Sequence, residues 1–241
     1  WGQEGPISKI AGHDINYVAL SGALFNMGVK GGPPAPPLNL VGDFGGGGMF
    51  LAFGMVSAIF SAKQTGVGQV VDAAMVDGAS LLSASFFGQL AAGKLHEGRG
   101  EHVLNGASHY YDAYECADGE YISLASVEPQ FYEELKGLLG LSEETFGVQS
   151  DHKLWPTQKT KIKALFLTKT RDEWCELLQQ SDVCFAPVLR FSEAPEHPHA
   201  KARESFVEID GIVQPAPAPR FSGTKCEISS APAKRGEHTD D

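Results

Sequence analysis

A chain of 241 residues is long enough to bury a full core and to hold one large domain or two smaller ones. Its 42% apolar and 20% charged content is that of a soluble globular protein, and a formal net charge of −11 excludes broad electrostatic binding to nucleic acid or to an anionic membrane surface. Cys116, Cys175, Cys184 and Cys226 are widely spaced with no CxxC pair, which argues against a disulfide framework or zinc site and for a reducing, intracellular setting.

The first readable element is "GHDINYVALSG" (12–22), where His13 and Asp14 precede an apolar run. Asp14 can cap a helix over 14–27, with Ile15, Val18, Ala19 and Leu24 forming a loosely apolar face. "KGGPPAPPLN" (30–39) cannot be regular, because its prolines fix φ and remove donors. "NLVGDFGGGGMF" (39–50) sets a second carboxylate, Asp43, ahead of the glycines Gly45 to Gly48. Residues 44–62 carry no charge, but the glycines, Ser57 and Ser61 leave only about 14 apolar positions, fewer than a bilayer span requires. Residues 49–62 therefore read as a helix buried on most sides in a soluble core. "TGVGQVVDAAM" (65–75) reads as a turn and a short buried strand, and 76–92 as a helix.

Composition changes near residue 94. "KLHEGRGEHVLNGAS" is polar and glycine-containing, so 94–104 reads as a linker. "YYDAYECADGEYISLAS" alternates on either side of "ADGE", the pattern of a β-hairpin. Amphipathic helices follow over 129–140 and 156–181, then a short strand at "CFAPVL" (184–189). "SEAPEHPHA" supplies a second linker over 193–199, and its "HPH" reads as a solvated loop rather than a metal site; no metal is expected anywhere in the chain. The tail is extended and proline-rich. No secretory leader is recognisable, and the opening on Trp1 reads as the interior of a longer protein. This pattern groups 1–93 with 200–241 in a large domain and leaves 105–192 as a smaller α+β domain.

Five stretches, "GHDINYVALSGAL", "PLNLVGDFGGGGM", "TGVGQVVDAAMVDGA", "YECADGEYISLASVEPQFYEEL" and "GEHT", stand in an order that resembles the family III CoA-transferases. "GHDINY" and "VEPQFY" are similar to the α-methylacyl-CoA racemase branch in particular. The resemblance implies an α/β fold with a large Rossmann-like domain, incomplete here because the N-terminal CoA-binding part is absent, plus a small α+β domain. It also implies an interlocked homodimer whose active site joins the large domain of one chain to the small domain of the other. "ASHYY" (107–111) departs from the family, which carries a "GAP" element before the aromatic pair.

The implied reaction is epimerisation of a 2-methylacyl-CoA thioester through an enolate. Removing a weakly acidic Cα proton and returning one to the opposite face needs two acid/base groups, with stabilisation where the oxyanion charge develops. The resemblance assigns His13 and Asp43 as that pair, with the S epimer's proton facing His13. Glu128 in "VEPQFY" becomes the carboxylate that orients the imidazole. Asp14, Tyr17 and Asn39 would line the pocket, Tyr17 by its helical spacing from His13. Gly45 and Gly46 would let the backbone approach the thioester and offer helix N-terminal N–H groups to the oxyanion. The partner is an acyl-CoA thioester, with no cofactor beyond the substrate's own CoA, no nucleic acid and no membrane insertion. The location is intracellular: cytoplasmic in a bacterium, peroxisomal or mitochondrial in a eukaryote. Two alternatives stand beside this reading. One is a CoA-transferase with Asp43 as nucleophile; the other is a non-catalytic fragment.

Overall fold

Asp14 begins α1 (Asp14–Leu20), where a first-turn carboxylate meets unpaired N–H groups and the positive end of the helix dipole. The single helix expected over 14–27 is in fact two. Gly22, at φ +86°, turns the chain into the short α2 (Ala23–Asn26), because a left-handed residue ends a helix and glycine adopts it without strain. This computed structural model describes residues 1–237 and 239, so His238 of the "GEHT" motif and the last two residues of the expected C-terminal return lie outside the described residues.

Residues 30–39 are irregular, as their prolines require. Leu40–Met49 then winds as a π-helix that runs straight into α3 (Phe50–Thr65). The helix over 76–92 is likewise split at Ser83 into α4 (Met75–Leu82) and α5 (Ala84–Ala91). The π-helix packs on α4 by backbone contact: a Cβ on Gly78 would stand 1.9 Å from Gly46 O, and one on Gly46 would stand 2.7 Å from Ala79 N. Glycine is required on both sides of that crossing.

Two expectations for this region fail. The strand read at 65–75 does not form; the stretch is irregular and Val70 is 90% exposed, with no neighbouring strand among the described residues to complete a ladder. Nor is α3 buried in this chain, since Phe53 is 73% and Val56 68% exposed. An apolar composition says that a helix needs cover, not which part of a protein supplies it. Leu40–Thr65 is also long and apolar enough to cross a membrane by length and composition.

The α+β lobe follows its sequence pattern more closely. The segment read as a linker at 94–104 is irregular up to a 3₁₀ turn at Val103–Asn105, and it is pinned: Arg99 Nε donates to Gly32 O, its Nη1 donates to Phe25 O, both at 2.9 Å, and the guanidinium lies over the Phe25 ring. β1 (Tyr111–Glu115) and β2 (Tyr121–Ala125) form the antiparallel hairpin, Tyr114 opposite Ile122, and β3 (Phe185–Val188) lies on the other side of β2. α6 (Pro129–Leu139), α7 (Glu143–Phe146), α8 (Trp155–Phe166) and α9 (Arg171–Leu178) complete it. The one helix read over 156–181 breaks at 167–170, where Thr170 and Glu173 form a capping box that starts α9. Alternate residues of the hairpin (Tyr114, Ile122, Leu124) meet Tyr132, Phe166 and Trp174 from the helices in one core.

The chain divides into two compact units, 1–186 and 187–241. In the second unit the segment read as a linker at 193–199 contains a 3₁₀ turn (Ala194–Glu196) and the start of α10 (Pro198–Ala202). The "HPH" motif caps that helix, His197 Nδ1 accepting from His199 N–H. β4 (Phe206–Ile209) and β5 (Ile212–Pro215) form a second hairpin on Asp210–Gly211, both at positive φ as a two-residue turn demands.

The departure at "ASHYY" lies in the core of the α+β lobe. His109 is fully buried, and Tyr132 Oη donates to Phe146 O at 2.9 Å. The phenol oxygen therefore accepts from His109 Nε2–H at 2.7 Å, which fixes the neutral tautomer, while Nδ1 has no partner. Burial pushes the imidazole pKa down to about 4. The unfolded chain then binds a proton that the folded state refuses, so stability present above pH 6.5 is lost as pH falls toward 4. Urea denaturation should show this group contributing a loss of about 3 kcal/mol between neutral pH and pH 4. His109→Gln, which cannot titrate, should flatten that part of the pH dependence.

Candidate active site

His13 is the N-cap of α1, with an extended backbone (φ −129°, ψ 173°). Its N–H donates to Asn16 Oδ1 at 3.0 Å, and its carbonyl accepts the first N–H groups of the helix. The backbone of His13 thus closes the turn, and the residue stands exposed at the helix start.

The next residue makes the decisive contact. Asp14 is 7% exposed, and its Oδ2 accepts from the backbone N–H of Asp43 at 2.7 Å, across 29 positions of sequence. Asp43 lies in the first turn of the π-helix, where an N–H has no acceptor inside the helix and needs one from elsewhere. The approach is possible because residue 42 is glycine: a Cβ there would stand 2.5 Å from Asp14 Oδ2. The Asp43 carboxylate stays exposed, and its Oδ2 accepts from Asn39 Nδ2 at 3.1 Å. His13, Asp14, Asn39 and Asp43 are therefore gathered at the N-terminal ends of two helices. Asp14 Oδ1 is buried without a hydrogen-bond partner.

Three of the expected site residues have different settings from those read in the sequence. Tyr17 is buried against Trp1, ring edge to ring face at 4.5 Å, rather than open beside His13. The four-residue spacing misleads because His13 is a cap with extended backbone, outside the helical repeat. Gly45 and Gly46 lie inside the π-helix, beyond its first turn, and Gly46 is buried against α4. Their N–H groups serve the helix and their missing side chains serve packing. Sequence reading passed over Gly42, whose signal was its place directly before a candidate carboxylate, and Asn16, three residues after the cap.

Glu128 is on a separate element. It is the exposed N-cap of α6, followed by Pro129 at the first helical position, where a missing N–H costs nothing. Its carboxylate makes no capping bond, so the helix leaves it available. The hydrogen bonds around it belong to the α+β lobe, and none joins it to His13 among the described residues. Burial, and then the Glu128 charge, raise the nearby Cys184 thiol above its ordinary range, which leaves that cysteine a poor nucleophile. An apolar cavity of about 440 Å³ opens between α2, α5 and the 95–105 segment, lined by Met27, Phe86, Phe87, Leu90 and His102 among others, and none of the candidate site residues lines it. Among the described residues no cluster of His, Cys, Asp and Glu could hold a metal ion.

An exposed carboxylate at one helix start is thus tied, through its own N–H, to the residue after an exposed histidine at another, which brings a candidate acid/base pair to one locus. The profile of CoA-transferase family III matches residues 1–239, and the chain belongs to that family. It is 43% identical over 245 residues to the alpha-methylacyl-CoA racemase of Mus musculus, covering 99% of this chain and 63% of that protein. To the alpha-methylacyl-CoA racemase of Homo sapiens it is 41% identical over 246 residues, covering 100% and 64%. The chain thus spans a little under two thirds of these relatives. The crystal structure of a CAIB/BAIF family protein from Brucella suis superposes with a TM-score of 0.81 at 23% identity, over 99% of this chain and 64% of that one, which assigns the family's α/β fold.

Asp14→Ala strands the Asp43 N–H and should cost about 1–3 kcal/mol in urea denaturation. Because it also frees the first turn of the π-helix, amide hydrogen exchange at Asp43 should speed up by more than the global stability loss explains.

Proposed function

We propose that the full protein epimerises 2-methylacyl-CoA thioesters by 1,1-proton transfer through an enolate. The observation that carries this reading is the Asp14–Asp43 hydrogen bond, which holds the His13 and Asp43 segments at one locus from two helix starts. The 43% identity to a racemase supports it independently. One of the pair takes the Cα proton as base while the other delivers a proton to the opposite face. The enolate oxygen belongs near the first turn of the π-helix, where N–H groups lack intrahelical acceptors and the dipole favours negative charge. The Asn39 carboxamide, donating to Asp43, sets the direction of that carboxylate.

In this proposal the active unit is an interlocked homodimer, in which Glu128 of one chain orients His13 of the other. Two features support it: the Glu128 carboxylate is exposed and unused by α6, and the apolar surface of α3 lacks cover among the described residues. Residues 1–93 and 200–241 form the large domain of the same proposal, and 105–192 the small one. The chemistry draws on no metal and on no cofactor beyond the CoA of the substrate, in an intracellular compartment.

Deuterium incorporation from heavy water into separate R and S thioesters tests the reading. Asp43→Asn and His13→Ala should each abolish racemisation, while residual exchange should switch from one epimer to the other between the two variants. Equal loss for both epimers in both variants would sink the two-base mechanism. A hydroxylamine-trapped acyl anhydride on Asp43 would establish a transferase instead. Glu128→Gln should slow turnover by about 10²-fold or more, because an amide can hold the imidazole but cannot balance its charge.

A further inference from the structure

Glu128 stands at the end of a short loop after β2, and the structure shows what shapes that loop. Gln149 Nε2 donates to Ser126 O and to Val127 O, each at 2.9 Å. These are the last two carbonyls before Glu128. Successive carbonyls of an extended chain point to opposite sides, so one nitrogen reaches both only where the backbone folds back. It does so here: Val127 N–H donates to Ala125 O at 2.8 Å, and Ser126 Oγ donates to Val183 O at 2.6 Å. The bond to Val127 O holds the peptide plane leading into residue 128, and so the place from which its side chain departs.

Gln149 is itself held from α8. Its carbonyl accepts from Trp155 Nε1 at 2.7 Å, and Trp155 is buried and stacked on His152. Gln158, also buried, donates through Nε2 to Thr145 O at 2.9 Å and to Val148 O at 3.2 Å, fixing the segment that delivers Gln149. Tyr132, one turn into α6, ties to the same region through Phe146 O. A continuous set of bonds thus runs from α8 through 145–149 to the peptide before Glu128.

From this geometry we infer that Gln149 is a positioning residue for Glu128, an inference that rests on the reading of Glu128 as the carboxylate that orients His13. The carboxamide is suited to the task because one nitrogen carries two donors. Methionine matches its length without donors, and glutamate would set a charge against two carbonyl oxygens.

The test uses the full-length protein with Glu128→Gln, Gln149→Met, Gln149→Glu and the double variant Glu128→Gln/Gln149→Met. Turnover and KM are read by Cα deuterium incorporation, and folding by thermal midpoint. Gln149→Met should lower kcat about 10- to 100-fold with KM for the thioester nearly unchanged, since a displacement near 1 Å costs that much. In the Glu128→Gln background the same substitution should have no further effect on kcat, because the group it positions is already lost. Should Gln149→Met fail to fold, Gln149→Glu, alone and combined with Glu128→Gln, gives the same comparison. A wild-type kcat in a folded Gln149 variant, beside a slowed Glu128→Gln, would overturn the role of Gln149 alone. An equal fold-loss with and without Glu128 would make Gln149 merely structural. Wild-type turnover in Glu128→Gln would overturn the role of Glu128 and this inference with it.

Discussion

The contact between the buried Asp14 carboxylate and the Asp43 N–H is where local and long-range structure meet. A carboxylate this buried needs donors, and a helix start has donors that need acceptors. Oδ2 and the Asp43 N–H meet each other's need, with charge assistance that makes the bond shorter and stronger than a neutral one, while Oδ1 is left buried without a partner. The surrounding sequence follows from that exchange. Residue 42 has no side chain because Asp14 occupies its space, and residues 46 and 78 have none because the π-helix is seated on α4. His13 and Asp43 are left at the surface by the same arrangement, since their backbones do the structural work and their side chains are spared.

That economy recurs in the other lobe. Glu128 closes the N-terminal end of α6 by backbone geometry and a following proline, not by its carboxylate. His13, Asp43 and Glu128 share one design: each stands exposed at a helix start, His13 and Glu128 as extended caps and Asp43 in the first turn, and neighbours meet the structural need. Asn16 serves His13 in this way, Asp14 serves Asp43, and Pro129 serves Glu128.

Much of this was legible in the sequence, and what was not has physical causes. Motif order identified the family, and period-two alternation around "ADGE" gave the hairpin in its observed place. Helix ends were read too long wherever a polar or glycine interruption was short: Gly22, Ser83 and the Thr170–Glu173 box each divide a run that periodicity alone treats as continuous. The second hairpin had a signal in Asp210–Gly211, flanked by Ile209 and by Ile212 and Val213, masked by the prolines that follow. The strand at 65–75 and the cover over α3 failed for a shared reason, because pattern states what a segment would bury but not whether a partner is present. The π-winding and the roles of Gly42 and Gln149 depend on contacts between distant segments, which periodicity cannot see.

The π-helix also acts as a phase setter. An α-helix advances about 100° per residue, whereas a wider winding advances less, so ten π residues leave α3 rotated away from the angle an α-helical run of equal length would give it. The glycine run thus fixes the azimuth at which the apolar side chains of α3 point when viewed from Asp43. Length in this run is therefore a coordinate in its own right: changing it by one residue would swing one end against the other without altering a single side chain at either.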